Sequence, residues 1–238
     1  MTGGDRSTQH RTSTIGRRQF VGALGAAGLV STAGCLGGVL GTGEPTESID
    51  ATYGWIGETA DTEPAKEPDH TVTLSIRPRE QGPPEFFFEP TGLAIESGDV
   101  VKFVAASPDH AVNAFHTDFG RTPRVPEGTP GLTSPMLKPG SYWLYEFETT
   151  GVYDLVCTPH ETFGMVMRVV VEEATGPGAS QATAEQTGQL RPPMEAAVRV
   201  LNDEALAPDA ILDAGRVSWE DLAAESKAPA GGGDHGGE

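Results

Sequence analysis

Basic residues are scarce in this chain. Sixteen Lys and Arg stand against 34 Asp and Glu in 238 residues, a net charge of −18. A phosphate backbone is held by a basic patch, so this deficit argues against nucleic acid as a partner. Cysteine is scarcer still, with only Cys35 and Cys157. A disulfide between the two is conceivable, but each has a better separate explanation. There is no apolar run long enough for a comfortable transmembrane helix, which needs about 20 residues; the longest, Phe20 to Thr32, is shorter. Aromatic content is modest at 7%. Gly and Pro are plentiful, at 31 and 19, which implies irregular or tethering stretches beside one compact core. A diffuse acidic surface suits solubility in high salt, where charges are screened and hold water.

The N-terminus reads as a targeting segment. Residues 1–19 are polar and carry Arg6, Arg11, Arg17 and Arg18, and an apolar core follows from Phe20. That order fits a signal peptide over residues 1–34. Arg17-Arg18-Gln19-Phe20-Val21 resembles a twin-arginine export signal. Thr32-Ala33-Gly34-Cys35 resembles a lipoprotein cleavage box, with Cys35 the lipidated first residue of the mature chain. The expected location is the extracytoplasmic face of the cell membrane, anchored by lipid at Cys35. Cys157 is then the free thiol of the exported protein.

Residues 35–69 show no sustained period of 2 or 3.6 and are expected to be a flexible tether. From His70 the pattern changes. His70 to Ile76 alternates, with Val72, Leu74 and Ile76 on one face, and Ser141 to Phe147 places Trp143, Tyr145 and Phe147 on one face. Together with Glu85–Ile95, Val100–Val104, Ala111–Phe115, Gly151–Val156 and Val166–Val171, this gives about seven short strands separated by turns. The predicted fold is all-β, an antiparallel Greek-key β-sandwich over residues 70–173. Residues 117–140 are rich in Pro and Gly and are expected to form a long loop. Residues 174–238 form an acidic extension with room for two short helices, Pro192 to Leu206 and Ile211 to Leu222, either packed on the sandwich or mobile.

One stretch carries chemistry. Cys157-Thr-Pro-His160-Glu-Thr-Phe-Gly-Met165 holds a thiolate, an imidazole and a thioether within nine residues, at C-x2-H-x4-M spacing. Pro159 and Gly164 make it a tight loop, suspended between two strands. A site of this kind needs a second His. His110 follows Ser107-Pro108-Asp109 at a strand end, whereas His116 lies at the far end of the next strand, about 20 Å away if that strand is extended. Both cannot serve one site, and His110 is the choice. His10, His70 and His235 read as ordinary residues. The ligand set is His110, Cys157, His160 and Met165. Two His and one Cys in a plane with a weak axial Met is the donor set of a blue-copper electron-transfer centre. Pro159 lacks an N–H and cannot donate to the sulfur, so the N–H of Ala111 is the candidate donor; both tune the site from behind the ligands.

The stretch from about residue 84 to 173 resembles the cupredoxin (blue-copper) family, and within it the plastocyanin, pseudoazurin and halocyanin types, the last from halophilic archaea. The residues that carry the likeness are Phe88-Glu-Pro-Thr-Gly-Leu93, Glu96-Ser-Gly-Asp-Val100, Pro108-Asp-His110 and Gly151-Val-Tyr-Asp-Leu-Val-Cys157 running into the ligand loop. One departure is Ala111, where many family members carry Asn directly after the first His. The resemblance implies a cupredoxin-like sandwich binding one type 1 copper ion and acting as a one-electron carrier. Its partners would be redox proteins, by analogy membrane respiratory complexes. An alternative is a copper-binding or copper-delivery protein outside the cytoplasm, but delivery sites are often rich in Met or His and this chain has five Met in all. An enzyme is not expected. Cys157 and His160 have no orienting third group for nucleophilic catalysis, and the remaining histidines are too scattered for a second copper site.

Overall fold

The computed structural model describes residues 48–228. Arg17, Arg18 and Cys35, on which the export and lipidation expectations rest, lie outside the described residues, as does His235. No helix among the described residues is long and apolar enough to cross a membrane.

Two five-stranded sheets face each other. The first contains β1 (Trp55–Gly57), β2 (His70–Arg77), β3 (Glu85–Glu89), β5 (Asp99–Ala105) and β7 (Tyr142–Phe147), in the order β1-β7-β5-β2-β3. The second contains β4 (Gly92–Ile95), β6 (Asn113–Ala114), β8 (Gly151–Val156), β9 (Val166–Val171) and β10 (Arg216–Val217), in the order β10-β4-β9-β8-β6. Pairing is antiparallel except for β2 with β5 and β4 with β9, one parallel pair in each sheet. Those parallel pairs arise because the chain crosses between sheets instead of turning back on itself.

The alternation read from the sequence fills the space between the sheets. Val72 and Leu74, Val101 and Phe103, Trp143, Tyr145 and Phe147, and Tyr153 and Leu155 form one buried cluster with Met167, Val169 and Val171. Strand β3 shows the pleat most plainly. Phe86 and Phe88 point into this cluster, while Phe87 between them points the other way and joins a second cluster.

That second cluster exists because β8 and β9 are buried at every position. Val152, Val156, Val166 and Val170 face outward and are covered by Ala197, Val200, Leu201, Leu206, Ile211 and Trp219. The covering residues come from the C-terminal extension, which carries α1 (Glu195–Leu201) and α2 (Pro208–Ala214). The extension therefore packs as a third layer up to residue 228, with β10 added to the edge of the second sheet beside β4. Trp219 is 2% exposed and stacks on Phe87 with ring centroids 5.4 Å apart. Its backbone N–H and the Ser218 hydroxyl both donate to Glu89.

Part of the expected tether is also structured. Residues 55–57 form edge strand β1 against β7. The cause lies in β7. Its buried aromatics carry polar tips that need acceptors, and the preceding segment supplies them: Trp143 Nε1 donates to the Tyr53 carbonyl at 2.7 Å, Tyr145 to that of Ala51 at 2.9 Å, and Tyr142 to that of Thr62 at 2.6 Å. Gly54, at φ +62, lets the chain lie against this surface; a Cβ there would sit 2.3 Å from Trp143 Nε1. The expected strand Ala111–Phe115 shortens to β6, and residues 117–140 fold inward as a loop that buries Val125, Leu132 and Leu137.

Removing a buried aromatic costs about 3–5 kcal/mol. Trp219→Ala is accordingly expected to lower the urea or thermal midpoint of the full chain clearly. An unchanged midpoint would mean that the extension does not dock in solution.

Candidate metal centre

Cys157 follows β8, and the chain then winds into a short 3-10 turn, Thr158–Phe163, before re-entering the sheet as β9. Proline near the start of that turn costs no hydrogen bond, because the first N–H groups of a turn have no internal acceptor. Gly164 closes the turn at φ 82, with its N–H donating to the Glu161 carbonyl at 2.9 Å. The Cys157 N–H donates to the Met165 carbonyl at 3.0 Å, so the loop is clasped at its base. Met165 is fully buried and belongs to the same cluster as Cys157.

His110 arrives from the other side. Asp109 before it adopts a positive φ of 65, and Leu137 N–H donates to the His110 carbonyl at 2.7 Å. The donor atoms of His110, Cys157 and His160 lie within 4.8 Å of one another. Cys157 Sγ is 3.7 Å from His110 Nδ1 and 3.4 Å from His160 Nδ1. Both imidazoles thus turn the same nitrogen towards the sulfur. The opposite nitrogen of His110, Nε2, is 2.8 Å from Ser107 Oγ. Ligation through Nδ1 requires Nε2 to carry the proton and donate it to that hydroxyl, which fixes the tautomer and the ring plane. His116 is not in this group. It caps the turn Thr117–Phe119, with Nδ1 accepting from the Asp118 N–H at 3.2 Å.

The donors are withdrawn from water. His110 and Cys157 have no exposed surface and His160 is 9% exposed. Cys157 is a free thiol. Burial pushes its pKa up to about 11, against the opposing effect of the Ala111 N–H, which donates to Sγ at 3.5 Å. Burial lowers His110 to about 4, with the neighbouring His160 adding to the effect and Asp109 opposing it. Burial lowers His160 as well. All three groups are therefore neutral near pH 7 without metal. They are soft and borderline donors packed for a cation that accepts sulfur and imidazole together, which suits copper.

Several residues that hold these donors carry little mark in the sequence. Phe86 lies against the His160 ring at 4.4 Å, and Phe163, 41% exposed, stacks on Phe86 at 4.4 Å. Asn113 joins the two ligand-bearing segments: its Nδ2 donates to Thr158 Oγ1 at 2.7 Å and its Oδ1 accepts from Thr133 at 2.6 Å. Asn113 thereby makes a side-chain link between the His110 segment and the Cys157 loop that Ala111 cannot make. Glu161, inside the ligand loop, is 1% exposed and pairs with two arginines. A carboxylate inside an otherwise apolar metal loop was the one available signal for it.

Residues 80–172 match the family model of copper-binding proteins of the plastocyanin/azurin family. Plastocyanin of Prochlorothrix hollandica is 36% identical over 87 residues, which are 36% of this chain and 63% of that protein. Pseudoazurin of Paracoccus pantotrophus is 33% identical over 115 residues, 48% of this chain and 73% of that protein. A crystal structure of native pseudoazurin from Hyphomicrobium denitrificans shares 27% identity, with a TM-score of 0.35, over 44% of this chain and 75% of that one. The chain spans less than two thirds of the plastocyanin's length.

Neutral His110 links stability to pH in the metal-free protein. Its folded value is about 4 against the ordinary 6.5, so below 6.5 the unfolded chain binds the extra proton first. Unfolding free energy should fall as pH drops from 6.5 towards 4 and level off below. Denaturant titrations of wild type and His110→Gln across that range check this. Equal slopes in the two proteins would contradict the assignment.

Proposed function

The chain belongs to the plastocyanin/azurin family of copper-binding proteins, and from that premise we propose that it is a type 1 (blue) copper protein that carries single electrons at the outer face of a membrane. The observation that carries this reading is the buried triad of His110, Cys157 and His160 with both Nδ1 atoms turned towards one free thiol. Copper bound there supplies a Cu(I)/Cu(II) couple. Thiolate favours the reduced ion and imidazole accommodates the oxidised one, so a scaffold fixed between their preferences keeps reorganisation small.

The residues divide the work. Cys157 must give up its proton to ligate, and the Ala111 N–H then faces the thiolate that forms. His110 is held by Ser107 and His160 by the ring of Phe86. Met165 would be the fourth, weaker donor; in support, it is buried beside Cys157 and its carbonyl accepts from the Cys157 N–H. The stack of His160, Phe86 and half-exposed Phe163 offers a continuous aromatic path from a ligand to the surface, where a redox partner protein would dock. Export through Arg17 and Arg18 and lipid attachment at Cys35 are proposed from the sequence motifs. They would hold the domain near membrane respiratory complexes. No catalytic reaction is assigned.

The copper-loaded, oxidised full chain should show an intense thiolate charge-transfer band at about 600 nm, lost in Cys157→Ser. It should also retain its copper against a chelator through repeated reduction and reoxidation. A colourless oxidised protein, or colour that survives Cys157→Ser, would overturn the reading. Rapid surrender of the metal would favour delivery instead. At neutral pH, copper uptake should release about one proton, from the thiol raised to about 11. Calorimetry in buffers of different ionisation enthalpy measures this, and uptake without proton release would mean that Cys157 is not a ligand.

A further inference from the structure

Two buried acids, Asp154 on the outer side of the second sheet and Glu161 in the ligand loop, are each clamped by two arginines, and they do different things. Asp154 on β8 has no exposed surface. Arg124 reaches it at 2.7 Å and also donates to the carbonyls of Gly178 and Ser180, while Arg168 reaches it at 2.8 Å and donates to the Leu206 carbonyl. This hub already fastens the extension to the body of the sandwich. Glu161 makes a second hub, within the ligand loop and adjacent in sequence to His160. Arg121 grips its carboxylate with two bonds of 3.0 and 2.9 Å, Arg191 of the extension takes the same carboxylate from the other side, and the Met194 N–H donates to it at 3.3 Å. The two arginines are brought together by their backbones, because Arg191 N–H donates to the Gly120 carbonyl at 2.8 Å and Thr122 N–H to that of Arg191 at 3.0 Å. Helix α1 then lies on the loop itself: a Cβ at Gly164 would stand 3.1 Å from the Ala196 carbonyl and 3.3 Å from Val200.

We propose that the C-terminal extension positions the metal centre, with Glu161 as the positioning residue through which Arg191 and α1 fix the loop that carries His160 and Met165. A buried carboxylate left with half its partners is strongly disfavoured, so the loop is constrained at its middle as well as at its Cys157–Met165 base. The extension is thereby part of what makes the site rigid. This rests on the copper-carrier reading for its consequence and on the protein alone for its geometry.

The test uses the full chain in two states. Arg191 is half exposed and Arg121 still grips Glu161 with two bonds, so Arg191→Ala should keep the fold while loosening the loop; Glu161→Gln removes the charge at constant shape, and Arg191→Lys keeps it. Arg216→Ala, an exposed extension residue paired at 3.9 Å with Glu89, serves as the control. In metal-free protein, Arg191→Ala and Glu161→Gln should speed amide exchange at Gly164 and Met165 by about tenfold or more while β5 and β7 stay protected. In copper-loaded protein the same two variants should change the ratio of the visible bands and the paramagnetic resonance parameters, Arg191→Lys should restore them substantially, and Arg216→Ala should alter neither. Unchanged loop exchange with an unchanged spectrum in Arg191→Ala would overturn the proposal, as would an equal effect of Arg216→Ala. A colourless wild type would overturn the copper-carrier reading, and the metal-free exchange data would still decide the positioning role.

Discussion

The β8–β9 pair is buried on both faces, and the rest of the molecule depends on that constraint. Its inner face closes the sandwich core through Tyr153, Leu155, Met167 and Val169, and its outer face accepts the extension through Val152, Val156, Val166 and Val170. The ligand loop is the connection between these two strands, so it springs from strands buried at every position. Fully buried strands have no room for the slippage or fraying that would let Cys157 and Met165 drift. Burial also requires the outward-facing polar residues, Asp154 and Arg168, to find each other, which they do at 2.8 Å.

The same burial explains the chemistry of the donors. A thiol and two imidazoles are brought together out of water, and each is pushed towards its neutral form. Neutral groups can be packed closely without mutual repulsion, so the donor arrangement is compatible with folding before any metal arrives. The hydrogen bonds from His110 to Ser107, from Ala111 to Cys157 and from Asn113 to Thr158 orient the set without adding charge to it.

Much of this was legible in the sequence for physical reasons. The period-2 strands, and the gathering of His110 with Cys157 and His160 while His116 stays apart, depend on local spacing, which sequence displays directly. What escaped was non-local. The docking of residues 51–62 is driven by the polar tips of Tyr142, Trp143 and Tyr145, about 80 to 94 residues further on, and nothing periodic marks the acceptors. The docking of the extension had a faint signal in Val169-Val170-Val171, a run without the polar alternation that a solvent-facing strand would show. Glu161 was passed over because a charged residue in a loop ordinarily faces water; here Arg121 and Arg191, distant in sequence, make its burial tolerable.

The fold itself brings one sulfur and two imidazole nitrogens together, and no ion is needed to gather them. X-ray absorption at the copper edge, on the copper-loaded full chain in its oxidised and reduced forms, tests it most directly. One short sulfur contact and two nitrogen contacts are expected in both states, with little change on reduction. A first shell of nitrogen and oxygen alone, or one that rearranges when the copper is reduced, would contradict it.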